Sequence, residues 1–198
     1  EQGTGTRYTK DSQITSVLTL YPKFNVIPYT ITYNNNGGNF KASAAVIYSY
    51  NIETGVTLPV SSDFEEYTGK TFAGWYDNAN LTGNKVTQVA KGSTGNKTFY
   101  AAWTINQYTL TYSAGEGGTV SGNHASGTKL DYSTSITLTA TPATGFKFDC
   151  WQDQYGNTLA VSTTYTFVVK ESTTFTAVFS PLPTNTPAPI LPTWPTKK

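Results

Sequence analysis

The chain has 198 residues but only one histidine, one cysteine and no methionine, and charged side chains make up just 13% of it. Cys150, being alone, can neither form an internal disulfide nor supply a cysteine-ligated zinc site. His124, also alone, leaves little for acid–base or metal chemistry near neutral pH. The net charge is +1. No overall field therefore draws the chain to nucleic acid or to an acidic membrane. No run of about 18 apolar residues occurs, so no membrane insertion is expected. The lack of an initiating methionine leads to the expectation of a monomeric fragment of a larger chain. These scarcities leave no enzyme-like constellation, and no cofactor is expected.

Aromatic rings and threonine are abundant: 14 Tyr, 10 Phe, 4 Trp and 36 Thr. Aromatics bury large areas, and both classes favour strands. Leu, Ile, Val and Phe total 40. That is near the level at which disorder becomes a concern, but disorder also requires a high net charge, which is absent here. The expectation is a mainly β protein with little helix.

Landmarks repeat along the chain. Tyr29-Thr30-Ile31-Thr32-Tyr33 returns as Tyr108-Thr109-Leu110-Thr111-Tyr112, each alternating like a half-buried strand. The glycine pair Gly37-Gly38 returns as Gly117-Gly118. Gly69 to Trp75 is matched by Gly145 to Trp151, and Thr98 to Trp103 by Thr174 to Phe179. The order is kept at offsets of 76 to 80 residues. Thr19 to Phe24 reads as the closing strand of a preceding copy. Residues 1–27 are thus the tail of one repeat and its link. Module 1 covers 28–105 and module 2 covers 106–180. A Pro/Thr-rich linker runs over 181–198, where most of the prolines lie.

Strands are expected at 45–50 and 57–60, then at 119–121, 135–142, 146–152, 164–169 and 173–179. Ser61 to Tyr67 reads as one short helical turn with Ser62 as its cap and Glu65 at the capping-box position. Four-residue links, Asn25 to Pro28 and Thr104 to Gln107, place Val26, Ile27 and Ile105 where they should pack between units.

These landmarks resemble the Listeria–Bacteroides repeat family, the B-repeat type. In module 1 the resemblance rests on Tyr29 to Gly38, Phe72-Ala73-Gly74-Trp75-Tyr76, Gly92-Ser93-Thr94-Gly95 and Phe99 to Trp103. Module 2 is similar to the divergent branch of the family, through Gly117-Gly118-Thr119-Val120, Leu138 to Pro142 and Gly145 to Phe148. The resemblance implies tandem β-grasp-like modules of exported bacterial surface proteins, with no catalytic residues. Module 2 departs from the pattern at Phe179, which stands in place of Trp, and at Cys150, which stands in place of Gly.

Trp75 and Trp151 share one landmark and read as core anchors, with Phe179 beside them on the closing strand. Trp103 reads as packing at the junction of units, and Trp194 has no core to join. Tyr48 and Tyr50, two apart in a strand, would share one face, where they either cover the core or bind a ligand. Cys150 reads as a small buried hydrophobe and His124 as an exposed, idle side chain. Asp149, Asp153 and Asn157 read as a solvated turn, because their spacing does not fit a calcium loop. The glycine pairs read as turn glycines. The functional expectation is a non-catalytic spacer or stalk, extracellular or at the cell surface, with adhesion as a further role. The alternative is a module binding a glycan or a host or cell-surface protein through exposed aromatics.

Overall fold

The computed structural model describes residues 9–13, 15, 17 and 25–183. The expected partial copy at 19–24, the linker from 184 onward and Trp194 lie outside the described residues. Two compact units divide the chain between Trp103 and Thr104, with the short segment Thr68–Thr71 counting with the second.

In the first unit, β1 (Tyr29–Asn34) pairs in parallel with β6 (Lys97–Ile105), Ile31 opposite Lys97 and Tyr33 opposite Phe99. β2 (Ser49–Tyr50) and β4 (Lys70–Tyr76) flank this pair, giving the order β2-β1-β6-β4. A second ladder joins β3 (Val56–Thr57) to β5 (Gln88–Val89). The expected long strands at 45–50 and 57–60 are therefore short. Only Ser49 and Tyr50 pair with β1, and the third pairing strand of that region, β5, was not legible in the sequence. The helical turn is a 3-10 turn at Ser61–Asp63. Ser62 does not cap it. Instead the Val60 N–H donates to Asp63 Oδ2 at 2.7 Å.

The second unit repeats the central parallel pair. β7 (Gln107–Ala114) runs alongside β14 (Thr173–Pro181), Leu110 opposite Thr173. With β9 (Thr128–Asp131), β11 (Phe146–Gln152) and β12 (Thr158–Ala160) they form a sheet of order β12-β11-β14-β7-β9. A three-stranded sheet of β8 (Gly118–Gly122), β10 (Ser135–Pro142) and β13 (Thr164–Val168), in the order β13-β10-β8, completes the unit. β10 shows the period-two logic plainly: Ile136, Leu138 and Ala140 are buried between threonines on the other face. The linker boundary moves outward, because Pro181 still pairs with Phe146 and Leu182 N–H donates to Gly145 O at 2.7 Å.

Each unit closes over one indole. Trp75 is 2% exposed and packs among Ile31, Leu58, Phe64 and Phe99. Its Nε1–H donates to Pro59 O at 2.8 Å. Trp151 is 0% exposed among Leu110, Ile136, Leu138 and Phe175, and its Nε1–H donates to Ser162 O at 3.0 Å. Both indoles thus bury their apolar area without orphaning the N–H.

The glycine pairs do more than turn the chain. Gly37 and Gly117 have φ of 95° and 90°, a conformation costly for residues with a Cβ. Gly38 and Gly118 have no such requirement. A Cβ on Gly38 would overlap the Trp103 ring, and one on Gly118 would overlap the Phe179 ring. The closing aromatic of each repeat therefore lies on the second glycine of its pair. Trp103 accordingly packs inside its own unit, not at a junction. It meets the Phe64 and Tyr67 rings at 5.0 Å, and its Nε1–H donates to Asn35 O at 2.8 Å. Between the strands of successive repeats only Asn106 remains, because β6 reaches Ile105 and β7 begins at Gln107. Val26, Ile27 and Ile105 lie in neither core.

Two stability outcomes follow from this packing. Trp75→Ala and Trp151→Ala should each cost about 3–5 kcal/mol in denaturant unfolding. Gly118→Ala should cost about 1–3 kcal/mol through overpacking, and Phe179→Leu in that background should recover part of the loss. An unchanged midpoint for Gly118→Ala would show that the ring is free to move away.

Candidate functional site

The two tyrosines expected to share a face lie over the same side of β1 but differ in exposure. Tyr50 is 3% exposed, inside the first core, and its hydroxyl donates to Gly95 O. Tyr48 precedes the short strand and is 57% exposed, with its ring edge-on to Tyr33 at 5.7 Å. The Ile31 N–H donates to Tyr48 O at 2.8 Å, which continues the register of Tyr29 opposite Tyr50 by one more alternation, so both rings lie over the Tyr29, Ile31 and Tyr33 face of β1. Only the Tyr48 ring is open to solvent, while Tyr50 covers the core.

The remaining polar candidates do not converge. Cys150 is buried on β11, where Thr158 Oγ1 approaches its sulfur at 3.8 Å. His124 is half-buried in the loop between β8 and β9, and its carbonyl accepts the Tyr112 hydroxyl at 2.9 Å. Asp149 pairs with Lys147 at 2.6 Å and accepts from Ser180 at 2.9 Å. Asp153 builds a turn: Oδ1 accepts the N–H groups of Tyr155 and Asn157, and Oδ2 accepts Asn157 Nδ2, all at 2.9 Å. No cluster of metal-ligating side chains occurs among the described residues.

That Asp153 turn borders a groove that the sequence reading missed. It has a volume of about 500 Å³ and lies in the second unit, lined by the 153–155 turn, β12, β13 and the 169–173 connection. Its floor is aromatic. The Tyr165 and Phe167 rings stack at 5.1 Å, and Phe167 meets Phe175 at 4.5 Å. Tyr155 lies on the rim of this groove, 80% exposed. Gly156, with φ of 84°, completes the turn that carries it. Gln154 ties the turn down, its Oε1 accepting from the Thr174 N–H at 3.2 Å. The legible signal was an aromatic at the tip of an Asp-Gln-Tyr-Gly turn, a position where turn chemistry calls for no ring.

Family models match both units. Residues 29–102 match the Listeria–Bacteroides repeat domain, and residues 108–183 match the divergent InlB B-repeat domain. The chain carries one repeat of each type, in tandem. Two curated proteins of Evansella cellulosilytica are similar. One carries the provisional name of membrane protein and is 31% identical over 143 residues, 71% of this chain and 20% of its own length. The other carries the provisional name of Gly-rich membrane protein and is 30% identical over 113 residues, 57% of this chain and 12% of its own length. The chain thus spans a fifth or less of the relatives it matches. No solved structure matches. Repeats of the Listeria–Bacteroides type are typical of bacterial surface proteins. Among the described residues no helix is long and apolar enough to cross a membrane.

Two ionisations in these repeats can be checked. In the Listeria–Bacteroides repeat, Tyr33 donates its hydroxyl to Ile47 O at 3.1 Å, and burial, with Tyr48 nearby, pushes its pKa up to about 12. The folded state disfavours the phenolate. Stability should be full below about pH 10, the ordinary tyrosine value, and should fall as pH rises through about 12. Tyr33→Phe should make that alkaline decline shallower in pH-dependent melting. In the divergent B-repeat, Asn157, with the turn N–H groups, holds Asp153 below its ordinary carboxyl range, and Lys147, with Ser180, does the same for Asp149. Their contribution is present above the unfolded value of about 3.9 and is lost as pH falls through the depressed folded values. Carboxyl-carbon NMR titration should place both midpoints below 3.8. A midpoint above that value for Asp153 would mean that the turn is not held in solution.

Proposed function

We propose that this chain is a non-catalytic repeat segment of an exported bacterial surface protein and serves as a spacer or stalk. One observation carries the reading: each repeat closes its own tryptophan-centred core, with its opening and closing strands paired side by side. A unit that completes itself can be added or removed without disturbing its neighbours, which is what a length-setting array requires. The single residue Asn106 between β6 and β7 makes for a short link.

Catalysis finds no support in the scattered polar groups. Cys150 is buried on a strand, and the Asp149 and Asp153 carboxylates are engaged by neighbouring side chains and turn N–H groups. An extracellular or cell-surface location agrees with the family and with the names of the relatives. Adhesion is the further role consistent with that location, toward a glycan or a host or cell-surface protein.

Small-angle X-ray scattering on the chain tests the spacer reading. The expected profile is that of an elongated particle whose longest dimension grows in regular steps as repeats are added. A globular profile, or no stepwise growth, would overturn it.

A further inference from the structure

We propose that the groove beside Tyr155 binds a neutral oligosaccharide. The proposal goes beyond the spacer reading, since a stalk needs no site. Tyr155 is a ring held out in water on a turn with every internal fastening made. Asp153 accepts three N–H groups, and Gln154 is bonded across to β14. An exposed ring on a rigid support loses little freedom on binding, so its contact area converts well into affinity. Beside it, Tyr165 and Phe167 line the groove, partly open to solvent over the buried Phe175. The volume falls within the range of about 300–1,000 Å³ found for small-ligand sites.

The rim selects the class of ligand. Lys170 and Glu171 are exposed on the groove wall, and neither side chain is engaged by the described residues. Tyr155 Oη is equally unengaged. The rim thus offers one free donor, one free acceptor and one group that does both. A sugar hydroxyl also does both, and the C–H face of a pyranose ring suits an aromatic platform. The lining carries Asp153, Lys170 and Glu171, formally −1, which provides no attraction for a sulfated or phosphorylated ligand.

An extended peptide fits less well. β13 is the outer strand of its sheet, but Tyr165 and Phe167 turn their backbone groups toward β10, in step with the bonded partners at 163 and 169. The Thr164 N–H is already held by Ser162 Oγ at 3.3 Å. That leaves the N–H and C=O groups of Thr166 and Val168, with the Thr164 C=O, as a short outer edge that an extended peptide would occupy and an oligosaccharide would not.

The test is a set of amide NMR titrations of the whole chain with cellohexaose, mannohexaose and chitohexaose at up to about 10 mM, the range of a weak single-site interaction. At least one should shift amides in 153–159 and 165–173. Tyr155→Ala should then weaken binding about tenfold or more, as truncating an aromatic anchor does. Tyr155→Phe should keep most of the affinity, and Tyr48→Ala, outside the groove, should keep all of it. Unchanged melting of Tyr155→Ala, whose ring is exposed, shows that the loss is local. No shift with any of the three sugars, equal binding by Tyr155→Ala, or binding of a sulfated sugar or a Thr/Val peptide in their place would overturn the proposal.

Discussion

The parallel pairing of the first and last strands governs both repeats. β1 lies beside β6, and β7 beside β14, with the middle of the main sheet given over to that contact. Parallel neighbours cannot be joined by a hairpin and need a crossover. Here the crossover is nearly the whole module, so everything between the two strands must fold to bring them together. The crossover carries no helix beyond the short turn at Ser61–Asp63 and is built from antiparallel ladders. Such long-range pairing makes folding slow relative to helical proteins of the same size, because loop closure precedes most of the stabilising contacts. It also makes each module close as one unit.

Two aromatic devices secure the pairing. The buried indole, Trp75 or Trp151, fills the space between the main sheet and the crossover, and its N–H is satisfied by a crossover carbonyl. The closing aromatic, Trp103 or Phe179, lies on the bare second glycine of the pair that follows the opening strand. The two repeats solve this second contact differently. Trp103 adds a hydrogen bond to Asn35 O, which Phe179 cannot make, and Phe179 relies on the Phe148 ring at 5.8 Å. The divergent repeat keeps the geometry while changing the chemistry, since a glycine without Cβ accepts either ring.

The modules also differ away from the core. The second unit has an additional three-stranded sheet, and the turn at 153–157 presents Tyr155 on the rim of a groove with an aromatic floor. The floor is shared with the second core, since Phe175 belongs to it and Tyr165 and Phe167 pack against it, whereas Tyr155 stands outside it. A change at Tyr155 alters what the surface offers without touching the core beneath.

Composition and repetition alone determined the mainly β class, the two modules, the tryptophan landmarks and most strands of the second unit. Each of these depends on local chemistry: alternation along a strand, turn glycines, and rings recurring at fixed order. The short ladders Val56–Thr57 with Gln88–Val89, and Thr158–Ala160 with β11, escaped notice because two- or three-residue strands carry too few residues to show a period. The different exposure of Tyr48 and Tyr50, which lie over one face of β1, was decided by how far the first core extends beneath them. The seating of Trp103 on Gly38 and the gathering of Tyr155 with Tyr165 and Phe167 were likewise decided by tertiary structure alone. Residues 65 positions apart become neighbours only when the closing strand pairs in parallel with the opening one. A linear pattern records which side chains are apolar, but it does not record which glycine a distant ring will cover.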